Sequence, residues 1–325
     1  MKICVMSDTH LSSQKYGKMD KNKNINRFLT KQFETMEWIM DYLKENNIDT
    51  IIHGGDMFDS PRMSAYPISR TRELFDGFDA YVIKGNHDDS NFLHDEGISA
   101  IDLIGVNAIN EPMSKIIDGV NFVFIPWGYE IDESLLLDDK KNVLVAHGFP
   151  KDFINDKFND SPNNQGGVLS NKTRLFDLVV TGHYHKVFEF SIKNTVYLNP
   201  GSISGSGNDS NFDPSIWILD TKDLSYERVK IPNAIKLIDV TPEDVTSYLD
   251  SIKDENVYRI RVKDIPDRKL VNKAKKNALE IQFRVLDDGI FNIKEERVDE
   301  FWKYVESNKP NYVNDFKNAL ASLER

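Results

Sequence analysis

Aspartate, histidine, asparagine and glycine recur together at five places in this chain, each time closing a short apolar run. Lys2–Met6 leads into Asp8-Thr9-His10, and Ile51-Ile52 into Gly54-Gly55-Asp56, with Asp59 three residues on. Residues 81–83 lead into Gly85-Asn86-His87-Asp88, residues 143–145 into Ala146-His147-Gly148, and residues 178–180 into Gly182-His183-Tyr184-His185. Five of the seven histidines sit in these groups. Carboxylate, imidazole and amide oxygen without thiolate suit Mn²⁺, Fe²⁺ or Zn²⁺ better than a structural zinc. Four histidines, two aspartates and one asparagine are too many for one tetrahedral ion. They suit two ions sharing a carboxylate, roughly 3.5–4 Å apart as in two-metal hydrolases.

The elements that must position these groups follow from the apolar runs. Short β-branched runs predict buried strands, and open α/β sheets place their chemistry beyond the strands' carboxyl ends. In extended chain, i and i+2 share a face, so Asp8 with His10, and His183 with His185, are each expected to serve one site. Residues 28–42 lack Gly and Pro and carry apolar positions at helical density, predicting a crossover helix and a βαβ unit. A second helix is expected over 64–75. Asp118-Gly119 predicts a hairpin between 115–117 and Val120–Ile125. Polar stretches at 148–170 and 201–213 are expected to wall a groove.

The series Asp-x-His, Gly-Asp-x-x-Asp, Gly-Asn-His-Asp, a lone strand-end His and Gly-His-x-His resembles the calcineurin-like metallophosphoesterases. The resemblance covers residues 1 to about 220 and implies an α/β fold, a two-sheet sandwich with ligands along one edge. It implies one ion on Asp8, His10, Asp56 and His185, and a second on Asp56, Asn86, His147 and His183. Asp56 would bridge. His87 would be the mobile acid near the leaving oxygen, held in its tautomer by Asp88. Two cations acidify a water between them and stabilise phosphoryl charge, and an imidazolium can protonate a leaving alkoxide. Mn²⁺ is the expected metal, with Mg²⁺, Fe²⁺ or Zn²⁺ as alternatives.

Within that superfamily the chain most resembles SbcD-type nuclease subunits, relatives of the meiotic-recombination nuclease, in a compact phage-like form. The residues carrying this are Met1-Lys2-Ile3 leading straight into the first ligand strand, Gly55-Asp56-Met57-Phe58-Asp59-Ser60-Pro61, and Phe124-Ile125-Pro126-Trp127. Asn199-Pro200-Gly201-Ser202 departs toward the style of small phosphodiesterases of the same fold. The resemblance implies a nuclease domain over 1–232 and a small α/β capping domain over 233–325 that binds DNA and partner. The expected function is a Mn-dependent DNA exonuclease or endonuclease in repair, recombination or replication. Its expected partners are DNA, an SbcC-type ATPase and a second copy of the chain. The alternative is a small-molecule phosphodiesterase or phosphatase on the same site, and a non-catalytic binding scaffold is disfavoured because every ligand is present.

Composition bounds these expectations. At 325 residues, 40% hydrophobic and 29% charged, the chain suits one large domain and a small one. No apolar run reaches the ~18 residues of a membrane span, the first strand leaves no room for a signal peptide, and the single Cys4 suits a reducing cytoplasm, bacterial or phage-infected. A net charge of −11 argues against a simple polyanion binder. Basic residues nevertheless concentrate at Lys15, Lys18, Lys21, Lys23, Arg27 and Lys31, and again over 257–284, which includes Lys273, Lys275 and Lys276. Each segment alone reads as a solvated face; together, flanking a phosphoesterase core, they suggest phosphate contact. The C-terminal stretch predicts a strand at 258–262, a basic helix at 267–279, a strand at 280–286 and amphipathic helices to Arg325. Phe301, Trp302, Tyr304, Val305, Phe316, Leu320 and Leu323 are the expected docking face, with closure of the small domain's own core as their other reading. His53 and His94 read as packing histidines, Asp59 as a turn cap or a carboxylate behind a ligand, and Tyr184 as core. Trp127 reads as packing beneath the site, with base stacking as its other use.

Overall fold

The five apolar runs form five strands divided between two sheets, and each run ends on the same edge of the sandwich. The computed structural model describes residues 1–11, 19–20, 25–89, 97–150, 168–205, 213–263 and 266–285. In chain order come β1 (Lys2–Met6), α1 (Arg27–Glu45), β2 (Thr50–His53), α2 (Ala65–Phe75), β3 (Asp79–Ile83) and β4 (Asn107–Ile109). Then follow β5 (Met113–Ile117), β6 (Val120–Ile125), β7 (Asn142–His147), β8 (Leu178–Gly182), β9 (Phe188–Ile192) and β10 (Thr195–Asn199). After β11 (Ser215–Asp220) and β12 (Tyr226–Lys230), the chain closes with β13 (Leu237–Val240), α3 (Val245–Ser251), β14 (Val257–Val262), α4 (Arg268–Ala274) and β15 (Glu280–Val285).

The first sheet runs β12-β11-β1-β2-β3-β4, with β1 to β4 parallel and β11 antiparallel to β1. The second runs β9-β10-β8-β7-β6-β5, with β6, β7, β8 and β10 parallel. Alternation along β1 decides what each face meets. Ile3 and Val5 join Ile52, Tyr81 and Ile83 against Phe122, Phe124, Val143, Val145 and Val180 of the second sheet. Cys4 and Met6 face the other way, onto Leu29, Phe33, Met36 and Met40 of α1. Parallel strands buried on both faces read as continuous apolar runs, which is why these do. The Cys4 thiol is fully buried, and burial pushes its pKa up.

The crossover helix α1 runs slightly beyond its expected span. Asn26 starts it, its Oδ1 accepting from the amides of Phe28 and Leu29 at 2.8 and 3.4 Å. The hairpin sits where Asp118-Gly119 placed it, with Ile117 opposite Val120 and both turn residues at positive φ, 46° and 84°. That is the backbone a two-residue turn needs to match strand twist.

The third sheet, β13-β14-β15, is wholly parallel and is built as two successive βαβ units with its own apolar core around Leu249, Tyr258, Ile260 and Ile281. Phe28 of α1 packs with Ile235, Leu237, Val257 and Leu279, so α1 touches this sheet as well as the first. Arg27 adds ion pairs to Glu255, Glu34 and Asp20. The basic helix is shorter than expected, ending at Ala274 after an Asp267 cap. Lys15, Lys18, Lys21, Lys23, His94 and the expected docking helices lie outside the described residues. Among the described residues, no helix is long and apolar enough to cross a membrane.

Phe124 is fully buried and stacks on Tyr81 with ring centroids 5.8 Å apart, joining the two sheets. Phe124→Ala should therefore cost about 3–5 kcal/mol of stability. Urea unfolding followed by circular dichroism checks this, and an unchanged midpoint would contradict the inter-sheet packing.

Candidate metal centre

Three groups of metal-competent side chains lie along the edge where β1, β2, β3, β7 and β8 end: Asp8 with His10 and His185, Asp56 with His147 and His183, and His10 with Asp56 and His87. Asp56 belongs to both of the latter two. Its Oδ2 is 3.5 Å from His10 Nε2 on one side and 3.3 Å from His147 Nε2 on the other. Asp8 Oδ1 lies 3.8 Å from His10 Nε2 and 3.9 Å from His185 Nε2. Asn86 Oδ1 lies 2.9 Å from His183 Nδ1 and 3.1 Å from His147 Nε2. All seven residues expected to hold metal are thus brought together.

The local backbone explains how. Asp8, His10, Asp56 and His183 are all left-handed, with φ of 50°, 45°, 55° and 76°. Such a conformation costs a non-glycine residue about 1–3 kcal/mol and persists only where its surroundings over-determine it. Here the surroundings are backbone and side-chain hydrogen bonds between strand ends. The Asp8 and His10 amides donate to the carbonyls of Gly55 and Asp56, each at 3.0 Å. The His183 amide donates to the Asp8 carboxylate at 3.1 Å, tying the second sheet to the first. Because the ligands sit in turns past the strands, the extended-chain argument for pairing i with i+2 fails for His183 and His185. They face different groups.

Gly55 and Gly85 are required by close approach. A Cβ on Gly55 would stand 2.5 Å from His147 Nδ1, and one on Gly85 would stand 2.1 Å from Asp56 Oδ1.

Several residues that the sequence did not mark hold the ligands from behind. Ser7 Oγ donates to Asp8 Oδ2 at 2.6 Å, and Ser202 Oγ to the Asp8 carbonyl at 2.8 Å. Gln32, buried within α1, donates to the carbonyls of His10 and Thr9 at 2.9 and 3.3 Å. Its signal was a polar residue on the apolar stripe with Leu29, Phe33 and Met36. His53 is a satisfied buried histidine: its Nδ1 accepts from the Gly55 amide at 3.2 Å, leaving Nε2–H to meet Thr9 Oγ1 at 2.7 Å. Burial lowers its pKa to about 3, so it stays neutral.

One assignment needs correction. Asp88 does not hold the His87 ring. Its carboxylate accepts from the amides of Met57, Phe58 and Gly85 at 3.1–3.2 Å, pinning the Asp56 turn to the Asn86 turn. Burial and the nearby Asp56 carboxylate push Asp88 up to about 7, against those three donations. The His87 ring is held instead by Asp59. Its Nδ1 donates to the Asp59 carbonyl at 3.1 Å, and the Asp59 carboxylate lies 3.8 Å from it and 3.5 Å from His10 Nδ1. The Nε2 edge is left as the reactive one on a side chain 40% exposed. Adjacency in sequence suggested Asp88, but the turn sends the two side chains apart.

Of the expected DNA-contacting lysines, Lys273, Lys275 and Lys276 are exposed on or just after α4. Lys273 pairs with Asp250 at 2.9 Å, and Arg261 pairs with Asp239 at 3.0 Å. Part of that basic charge is therefore neutralised by acids from neighbouring elements. Tyr184 packs beside Phe149 and Phe188. Trp127 is half-buried and packs against the His183 and His147 imidazoles, with ring centroids 5.0 and 5.9 Å away.

The donor chemistry fits divalent ions. His147 Nδ1–H donates to the Gly54 carbonyl at 2.7 Å, which leaves the Nε2 lone pair of the neutral ring facing Asp56 and Asn86 oxygens. An array of acceptors converging on acceptors needs positive charge between them. Without metal, protons supply it. Burial alone would hold His10 neutral, but Asp59, Asp8 and Asp56 outweigh it and raise its pKa to about 10. His147 is raised to about 9 by Asp56 and Asp8, again against burial. Burial and the His147 charge lower His183 to about 4, keeping it neutral. Against burial, the imidazoles hold Asp8 down to about 2 and Asp56 lower still.

Two tests follow from this. His10 and His147 are raised above the ordinary 6.5, so their protons stabilise the metal-free fold fully below pH 6.5. That contribution is lost as pH rises toward 9–10. Asp8 and Asp56 are depressed, so theirs is present above about pH 4 and lost as pH falls through their folded values. Metal must displace the histidine protons, so apparent affinity should climb between pH 6.5 and 9 with proton release. Calorimetry in buffers of different ionisation enthalpy measures that release, and proton-neutral binding at pH 7 would contradict the assignment. Separately, Gly85→Ala should push Asp56 aside and sharply lower the metal content read by plasma emission. Full retention would mean that Asp56 serves neither ion.

Residues 1–224 match the calcineurin-like phosphoesterase superfamily domain. A 164-residue stretch is 29% identical to the DNA double-strand break repair protein Mre11 of Saccharolobus solfataricus, covering 45% of this chain. The match spans 41% of that relative's length. Among solved structures, the chain is similar to a novel archaeal phosphodiesterase (19% identity, TM-score 0.41, 71% of this chain and 99% of that one). It is also similar to Yfce, a phosphoesterase from E. coli (17%, 0.38, 71% and 100%). A third is zinc-complexed Vps29 from Entamoeba histolytica (19%, 0.35, 71% and 100%). The family match covers more than half of the chain, taking in every strand of the two large sheets except β12 and the positions of all seven metal-competent residues, and the chain belongs to the calcineurin-like phosphoesterase superfamily.

Proposed function

We propose that this metallophosphoesterase is a DNA nuclease subunit, hydrolysing phosphodiester bonds with two divalent ions, Mn²⁺ foremost. The observation that carries the reading is the Asp56 carboxylate, whose Oδ2 stands between the His10 and His147 nitrogens with His87 beside it. Asp8, His10, Asp56 and His185 would hold one ion, and Asp56, Asn86, His147 and His183 the other. Bound there, the ions supply Lewis-acid stabilisation of phosphoryl charge and acidify a water for attack.

The chain's own residues do the rest. His87 Nδ1 is committed to the Asp59 carbonyl, so Nε2 is the edge that can carry a proton to a leaving alkoxide. The His87 amide donates to Asp56 Oδ1 at 2.9 Å, fixing the distance between acid and bridge. The His87 and His10 rings meet edge to face at 4.8 Å, which limits the swing of the acid. The likeness to the Mre11 repair protein supports DNA as substrate, and the SbcD-type resemblance extends this to an SbcC-type ATPase partner and a homodimer.

The test compares Mn²⁺-dependent cleavage of linear DNA with hydrolysis of bis-p-nitrophenyl phosphate, using wild type and His87→Ala. Wild type should cut both. His87→Ala should keep its metals and lose about 10²–10⁴ in DNA cleavage rate, the usual worth of a positioned acid. Hydrolysis of the small diester with intact DNA would replace the nuclease reading by a small-molecule phosphodiesterase. Loss of metal in His87→Ala would make His87 a ligand.

A further inference from the structure

Trp127 packs against the candidate metal centre and is only half-buried there. Its amide donates to the Lys84 carbonyl at 2.9 Å, anchoring the end of β6 next to the Gly85-Asn86-His87 turn. Gly128 follows with φ of 84°, turning the chain away at once. The indole therefore projects over the second ligand group, with ring centroids 5.0 Å from His183 and 5.9 Å from His147. Phe149 also meets the His183 ring edge to face, with centroids 4.9 Å apart. The residue as a whole is half-buried. The indole N–H has no hydrogen-bond partner among the described residues. Trp217, by contrast, is buried in the inter-sheet core and donates to the Asn199 carbonyl.

A half-wet indole beside a phosphoryl site is the feature a nucleobase can use. Every base offers a π-face, and stacking on an aromatic side chain is tolerant of sequence. The chain's net charge of −11 gives no general attraction for a polyanion, so a contact that does not depend on charge matters more here. We propose that Trp127 is a stacking platform for the base of the nucleotide whose phosphate is cleaved, a base subsite beside the group Asp56, Asn86, His147 and His183 that would hold the second ion. This rests on the phosphodiesterase reading above, but not on DNA polymer being the substrate.

The experiment uses the full chain loaded with Mn²⁺ and two substrates with the same leaving group. Thymidine 5′-(p-nitrophenyl phosphate) carries a base; methyl p-nitrophenyl phosphate does not. In Trp127→Ala the ratio of kcat/KM for the first over the second should fall about 5- to 150-fold, the worth of one base–aromatic stack. Trp127→Phe, which keeps a ring, should recover much of that ratio. In parallel, thymidine 5′-monophosphate should quench wild-type tryptophan fluorescence more than inorganic phosphate does, and Trp127→Phe should lose that difference. A purely supporting role for Trp127 predicts that both substrates slow together and the ratio stays constant. That outcome overturns the proposal. Cleavage of these diesters without cleavage of DNA would sink the nuclease reading while leaving the ratio measurable, so the two failures are distinguishable.

Discussion

Two carboxylates, Asp8 and Asp56, are buried in the seam where the two sheets meet, and their charge must be answered from within the protein. Both are held ionised by His10 and His147, which take up protons that burial alone would strip away. A buried charge without a partner is expensive, so the seam closes only when cations fill it. Protons do this in the metal-free chain, and divalent ions fit the same donors. The sandwich and its metal chemistry are therefore one problem. The contacts that join the sheets at this edge, His183 amide to Asp8 and His147 Nδ1 to the Gly54 carbonyl, also aim the metal-competent side chains.

The same constraint accounts for the backbone. Four of the metal-competent residues adopt left-handed φ, and each is gripped by hydrogen bonds from an adjoining strand end or turn. Strand ends alone could not present two carboxylates and four imidazoles to so small a space, because successive side chains would alternate faces. Turning the chain sharply after β1, β2 and β8 brings the donors inward. Asp88 serves this arrangement by staple rather than by acid–base chemistry: one carboxylate gathers amides from the second and third turns. Gly55 and Gly85 are needed because the turns pack closer than a side chain allows.

Much of this was legible in the sequence because the signals were local. Strands β1, β2, β3, β7 and β8 announced themselves as short β-branched runs, α1 by its density of apolar positions, and the hairpin by Asp118-Gly119. The ligand types stood at the strand ends in plain view. What was not legible depends on contacts distant in sequence. That His87 is held by Asp59 and not by its neighbour Asp88 follows from how two turns cross. That Gln32 grips the His10 carbonyl is hinted at only by a polar residue on an apolar stripe. The basic run over 257–284 looked opposed only by Asp264, Asp267 and Glu280, because two further counter-charges, Asp239 and Asp250, lie outside the window. A linear count of charge cannot see an ion pair closed by a neighbouring strand or helix.

Helix α1 links these local facts to the larger architecture. Its first turn meets the third sheet through Phe28 and the Arg27–Glu255 pair, and its second turn meets the metal centre through Gln32 and the His10 carbonyl. One rigid element thus carries contacts from both parts of the chain, separated by little more than one helical turn. Exposed ion pairs contribute little on their own, whereas Phe28 is buried with four apolar partners, so the apolar contact sets the association and the Arg27 network orients it. The third sheet reaches the site by two routes: through α1 and Gln32 to the His10 carbonyl, and through the Gly205 amide on the Ile235 carbonyl to Ser204, Ser202 and the Asp8 carbonyl.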